Sequence, residues 1–288
     1  MSRTFQTDGN PVAARIQQPG VPNDKRQAIP FHALADYAGR EAQITGFGEL
    51  TTGEKQVDVS VIFNYGINSE FALTELAGTG AATEDASRLK LSAAGGAGSA
   101  TIYSKRFLIY RMGHEAVATF TCAFDEGKTG ITQKAGIFDD LDGYFVSLNS
   151  AGQLQVNHRV GGATTTIDQP DFNLDPLDGS GLSDFTLNSQ ALTIYRISYG
   201  YHGMLPATFE IYGGASLGWV PFHVVDLTNT SADLILQSPS TRIRMEVTSD
   251  GTNDVQIFSG SWMGATIGAY RDRALNDHFG FSVTTPIP

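Results

Sequence analysis

The sequence predicts an all-β protein, an antiparallel sandwich of about a dozen strands behind an extended N-terminal arm. Three observations predict it. Short runs rich in β-branched and aromatic residues recur along the 288-residue chain, separated by Gly, Asp, Asn and Ser clusters. The 32 glycines suit many tight turns, and no helical period longer than two turns is present. Several runs alternate apolar with polar residues, as strands do when one face is buried.

Residues 1–45 read as the arm. Pro11, Pro19, Pro22 and Pro30 each remove a backbone donor and fix φ, and the apolar residues between them have no period. Only Ile29–Gly39, "IPFHALADYAG", has room for one or two helical turns. The expected role is an assembly arm that drapes over a neighbour and orders on binding.

Residues 46–264 read as the sandwich. Strands are expected at Asp58–Phe63, Phe71–Leu76, Arg88–Ser92, Ala100–Tyr103, Phe107–Tyr110, Val117–Phe124, Tyr144–Leu148 and Gln153–Arg159. They continue at Thr164–Ile167, Leu192–Tyr199, Thr208–Tyr212, Trp219–Asp226, Asp233–Leu236, Arg242–Thr248 and Val255–Trp262. Alternation places Ile243, Met245 and Val247 inward, opposite Arg242, Arg244 and Glu246; Tyr195, Ile197 and Tyr199 share a side. Phe120, Cys122 and Phe124 are expected on an inward face as well. The glycine-rich Ala93–Thr101 reads as a flexible turn between strands, and Asp168–Leu192 as a surface loop. In the tail, residues 265–288, "FGFSVTT" (Phe279–Thr285) has the pattern of an added edge strand or of one that pairs with a neighbour.

Charge excludes some functions. A net −11 lacks the Lys/Arg stripe that displaces counterions from phosphates, so no nucleic-acid partner is expected. Residues 1–45 carry +1, leaving −12 for the remainder. Charged residues are only 17% of the chain, which fits either a surface that packs on other copies or the ordinary scarcity of Lys and Glu in strands. Cys122 stands alone, so no intrachain disulfide forms. The N-terminal "MSRTFQTDGN" has no apolar h-region, and no run approaches the ~18 apolar residues of a span, so neither membrane insertion nor a secretory signal is expected.

No motif assembles an active site, and no catalytic, cofactor-binding or metal-binding residue is assigned. Gly214–Gly218, "GASLG", matches the G-x-S-x-G elbow around Ser216, with His223 and Asp226 nearby. Its flanks are strand-like, though, and the elbow needs a strand-to-helix turn, so a hairpin is expected. Asp139, Asp140 and Asp142, and likewise Asp175–Asp178, place carboxylates in turns where calcium loops place theirs, without the complete pattern. The histidines, His32, His114, His158, His202, His223 and His278, lack metal-ligand spacing. Trp219, Trp262, Tyr199 and Tyr201 are residue types that sugar sites use, but both tryptophans lie in strand-like runs and read as core.

The order of pieces in Tyr103–Gly162 carries a further reading. "SKRFLIYRMGHEA" leads to "ATFTCAF", then a loop, then "GIFDDLDGYFV" and "LQVNHRVGG". This resembles β-sandwich structural proteins of tailed phages and large DNA viruses. The likeness continues through "DFNLDPLDGSG", "YRISYGYHG" and "TRIRMEVTSDGT", covering about Ala72 to Met263. The resemblance implies a jelly-roll, concanavalin-A-like fold and a virion structural protein without enzyme activity. Such a protein is a head decoration, cement or minor capsid component, or part of the tail or fibre apparatus, assembled in the host cytoplasm. Its partners would be other virion proteins and further copies of itself, a trimer being one such arrangement. The alternative is a receptor- or carbohydrate-binding adhesin of a viral fibre.

Overall fold

The computed structural model describes residues 55–111, 114–200 and 202–267, together with the backbone of two short strands, β1 (Leu34–Ala35) and β2 (Glu41–Ala42). β1 and β2 pair antiparallel, inside and just after the stretch expected to turn helically. The rest of the arm and the tail from residue 268 onward, including Phe279–Thr285, lie outside the described residues.

The body is an antiparallel jelly-roll β-sandwich. Its strands are β3 (Lys55–Ile62), β4 (Ala72–Asp85), β5 (Arg88–Ser104), β6 (Glu115–Cys122), β7 (Ile131–Phe138), β8 (Gly143–Leu148) and β9 (Leu154–Val160). They continue as β10 (Ala163–Asp168), β11 (Thr193–Tyr199), β12 (Ala207–Tyr212), β13 (Trp219–Val225), β14 (Ile243–Asp250), β15 (Val255–Ser259) and β16 (Ser261–Ile267). One sheet runs β10-β9-β8-β7-β14-β5, with β15 following β14 along one side of β5 and β4 on its other side. The other runs β13-β12-β11-β6-β16-β3. Among the described residues there is no α-helix, only a single 3-10 turn at Gln169–Asp171.

The core is built as the alternation predicted. Ile243, Met245 and Val247 of β14 are fully buried, as are Tyr195, Ile197 and Tyr199 of β11 and Phe120, Cys122 and Phe124 at β6. Aromatic rings bridge the sheets: Tyr144 of β8 lies 5.6 Å from Tyr199 and 6.2 Å from Phe209 of β12. Trp262 is buried against Phe63, edge to face at 5.0 Å.

Several local expectations are corrected. Ala93–Thr101 is not a turn: it lies within the 17-residue β5. The inward, fully buried positions of β5 are Leu89, Leu91 and Ala93, then Ala100, Ile102 and Ser104, with Thr101 buried on the other face. The inward phase thus slips by one residue across the glycine-rich stretch, opposite a register shift between Gly78 and Gly80 of β4. A bulge does this, and the small residues that made the segment look like a turn are what let two strands pass there. Secondly, Val255–Trp262 is two strands. At Gly260 the chain leaves the eight-stranded sheet for the six-stranded one, and the Thr121 hydroxyl accepts both the Gly260 and Ser261 N–H groups.

Thirdly, Phe107–Tyr110 makes only one isolated bridge, Leu108 with Thr241. Asp233–Leu236 makes no ladder, because Ile235 and Leu236 are drawn into the core as irregular chain. Fourthly, β7 lies where the sequence pattern predicts no strand. Its sequence, ITQKAGIF, mixes a buried Gln and a Gly into the pattern. Gln133 is buried because its amide serves the 125–126 loop, accepting from Asp125 N–H and donating to Glu126 C=O.

Candidate functional site

The outward face of the eight-stranded sheet carries the most organised polar surface. Strand register sets it up. Glu75 lies opposite Thr101, Thr101 opposite Glu246, Glu246 opposite Lys134, and Lys134 opposite Ser147. Ser147 then lies opposite Gln155, and Gln155 opposite Asp168. One transverse row of polar side chains therefore crosses seven strands, roughly 29 Å at ordinary strand spacing. Its members bond to one another: Lys134 Nζ to Glu246 at 2.7 Å, Ser147 Oγ to Gln155 at 3.0 Å and Gln155 Nε2 to Asp168 at 2.8 Å.

A second row reinforces the first. Arg244 donates to Glu246 at 2.9 Å and to Asp140 at 2.8 Å. Its guanidinium lies 5.3 Å above the buried Phe138 ring, while that of Arg159 lies 5.1 Å above Phe145. Arg159 also donates to the Asp139 carbonyl and to Thr164. Farther along, Thr166 donates to Asn157, and Asn157 to Ser147. Tyr103 donates to Glu75 at 2.7 Å, and that bond with the carboxylate raises the phenol above its usual range.

At one end of the track the surface dips into a cleft of about 510 Å³, lined by Glu75, Leu76, Ala77, Ser99, Thr101, Lys134, Asp140, Arg159, Arg244, Glu246 and Thr248. Three cations and three carboxylates line it, so the cleft is electrically balanced. Its side chains are already locked by one another, which lowers the entropy lost when a ligand binds.

Of the candidate residues singled out by sequence, Asp140 lines this cleft and the others do not converge there. Ser216 sits at the exposed tip of the β12–β13 hairpin, closed by Gly213 N–H to Gly218 C=O. His223 is buried, its Nδ1 accepting the Asn173 N–H at 3.3 Å, and burial lowers its pKa to about 4. Asp226 instead accepts the N–H of Thr228. No serine hydrolase triad forms from these three. Apart from Asp140, which accepts from Arg244, the carboxylates of the acidic turns accept backbone N–H groups. Asp139 accepts from Leu141 and Asp142, Asp142 from Gln237, Asp175 from Leu177 and Ser183, and Asp178 from Ser180. Among the described residues no three metal-ligating side chains cluster.

His158 is buried against Tyr144, its Nε2 at 2.5 Å from the Ile235 carbonyl oxygen, and burial lowers its pKa. Trp262 and Tyr199 are core, Tyr201 lies outside the described residues, and Trp219 is half-buried beneath the Arg196 guanidinium at 4.1 Å.

The two edges of the six-stranded sheet differ. At β13, Asn173 from the 168–192 loop bonds both the N–H and the C=O of Val224, and Leu174 and Asp175 donate to Phe222 C=O. That loop is therefore fastened as a cover, with Phe172 packed 5.1 Å from Phe222. At β3 the ladder to β16 is the only one among the described residues. Beside β3 lies a groove of about 700 Å³, lined by Gln56, Val57, Asp58, Arg106, Phe107, Ile109, Ser238 and Ser240.

No family model and no curated protein matches the sequence. Solved structures of similar course include the Mycobacterium tuberculosis antigen Rv0315, a pseudo β-1,3-glucanase (TM-score 0.49, 10% identity, 74% of this chain and 99% of that one). Another is the Emp47p carbohydrate recognition domain (0.47, 10%, 75% and 98%). A third is the binding domain of botulinum neurotoxin DC in complex with rat synaptotagmin II (0.45, 9%, 77% and 50%). The chain spans about half the length of that neurotoxin domain.

Proposed function

We propose that this chain is a non-catalytic binding protein of a virus particle, and that its ligand is a neutral, polyhydroxylated chain such as an oligosaccharide. The polar track carries this reading. It is long, electrically balanced at its cleft, and dense in fixed donors and acceptors, which suits hydroxyl groups better than phosphates or an apolar ligand. The virion setting comes from the resemblance in sequence, and the adhesin alternative is the form of it that the track favours. The absence of catalysis is part of the proposal, supported by the separate employment of Ser216, His223 and Asp226.

The test is a binding screen of neutral oligosaccharides by calorimetry, using the intact chain and Ala77→Trp, which fills the cleft from an exposed position. Binding that Ala77→Trp reduces at least tenfold supports the reading. Binding that survives the substitution, or none below millimolar, removes it.

A second reading, a capsid, cement or tail building block, is favoured by the β3 edge, which among the described residues pairs only with β16. Lys55 of β3 pairs with Ile267 of β16 at that edge. Deleting residues 2–40 then abolishes incorporation into particles. Full occupancy of the truncated chain sinks this second reading.

A further inference from the structure

We infer that the polar track takes an extended, β-linked linear glycan lying across the strands, one sugar unit to each strand, in preference to a short, branched or coiled one. The inference rests on the reading of the track as an oligosaccharide site and adds the shape of the ligand. Its first ground is period. A sheet face offers two repeats, ~4.8 Å from strand to strand and ~6.8 Å between like-facing residues along one strand. The unbroken polar line runs across the strands, from Glu75 to Asp168. The row beside it is interrupted by Leu73, Gly136 and the buried Phe145, so the ligand has one line to follow. A pyranose unit in a β-linked ribbon is about one strand spacing long, ~5 Å, so successive units keep step with successive strands. A coiled α-linked chain turns off such a line after a few units.

The second ground is the bonding capacity that remains once the row has bonded to itself. Glu75 accepts from Tyr103 through Oε1, which leaves Oε2. Lys134 gives one N–H to Glu246 and keeps two. Gln155 gives one amide N–H to Asp168 Oδ1, which leaves its second N–H and the Asp168 Oδ2. Lys134, Gln155 and Asp168 stand roughly 14, 24 and 29 Å from Glu75 at ordinary strand spacing. Only a chain of about seven units meets all four.

The third ground is rigidity. Glu246 is held by Lys134 and Arg244, and Ser147 by Gln155 and Asn157. The spacing between stations is therefore set before a ligand arrives, which favours a ligand with a fixed repeat of its own. Both end members, Glu75 and Asp168, are exposed, and units beyond the seventh meet no further member of the row.

The test is calorimetry on the full chain with β-1,4-linked oligomers of glucose, mannose, xylose and N-acetylglucosamine, two to eight units long. α-1,4-Linked glucose oligomers of the same lengths are the comparison. In at least one β-linked series the dissociation constant is expected to fall at least tenfold from three units to seven and then to level off. Asp168→Ala is expected to weaken seven-unit binding at least threefold and to leave three-unit binding in the cleft unchanged, which is its own control for folding. Equal affinity at three and seven units, equal binding of the α-linked oligomers, or equal loss at both lengths in Asp168→Ala overturns the extended ligand while leaving an oligosaccharide site. Failure of every β-linked series, where the wider screen of neutral oligosaccharides finds a ligand sensitive to Ala77→Trp, overturns it as well. A wider screen that finds no ligand removes the oligosaccharide reading itself, and this inference with it.

Discussion

The acid response of the β13 edge follows from one buried imidazole. His223 is fastened beneath the 168–192 loop, with Phe172 and Phe209 at 5.6 and 6.5 Å, and its Nδ1 accepts the Asn173 N–H. Only the neutral ring can accept that bond, and burial lowers its pKa from 6.5 to about 4. Because the folded value is the lower one, the unfolded chain binds the proton first as pH falls. Stability conferred by the neutral ring is complete above pH 6.5 and is lost between pH 6.5 and 4. Over the two units from 6.5 to 4.5 the loss reaches up to about 2.7 kcal/mol, at 1.36 kcal/mol per unit. His158, lowered by burial in the same direction, adds to the wild-type loss. His223→Gln keeps an acceptor for Asn173 without a titrating group. Urea denaturation of both proteins at pH 7.5, 6.5, 5.5 and 4.5 is the assay. The variant should lose about 2 kcal/mol less than wild type across the window. Equal losses would refute the assignment of the acid response to this ring.

Other outcomes follow from the same packing. Phe120→Ala removes a ring stacked 5.8 Å from Tyr195 and should cost roughly 3–5 kcal/mol in urea denaturation; an unchanged midpoint refutes the inward register of β6. Gly80→Ala would place a Cβ 1.8 Å from the Ser99 carbonyl oxygen, so the β4–β5 hairpin must shift, at roughly 1–3 kcal/mol in the same assay. Gly95→Ala meets no atom within 4 Å and costs only the strain of a φ of +74°, about 1 kcal/mol. Arg196→Ala strips a bidentate partner from the buried Glu210 and should cost about 3 kcal/mol; Arg196→Ala with Glu210→Gln should recover part of it, as a double-mutant cycle would show.

How much was legible beforehand divides along a physical line. Strands whose neighbours demand strict alternation, such as β14 and β11, could be read with their inward faces, because burying one face writes period two into the local sequence. Where the phase slips, local reading fails. The segment 94–99 carries the residue types of a turn, yet opposite Gly78 and Gly80 those types allow close passage of two strands and move the inward set from Leu91 and Ala93 to Ala100 and Ile102. Gly260 is similar: the eight residues VQIFSGSW read as one strand, yet they serve two sheets, with the change falling at the Ser-Gly-Ser step.

The candidate site was the least legible part, and for the strongest reason. Glu75, Thr101, Glu246, Lys134, Ser147, Gln155 and Asp168 are each the ordinary polar partner in an alternating strand, scattered over more than 170 residues. None has a neighbour in sequence that marks it. They become one surface only through six successive strand registers, each set by which side chains must point inward. The core thus determines the track: every buried residue that fixes a register also fixes which polar group stands beside which across the sheet. A one-residue slip of β7 against β14 would part Lys134 from Glu246 and turn Ile137 outward together. Core substitutions in β7 that preserve the fold should therefore leave the track intact, and any that loosen its register should lose both at once.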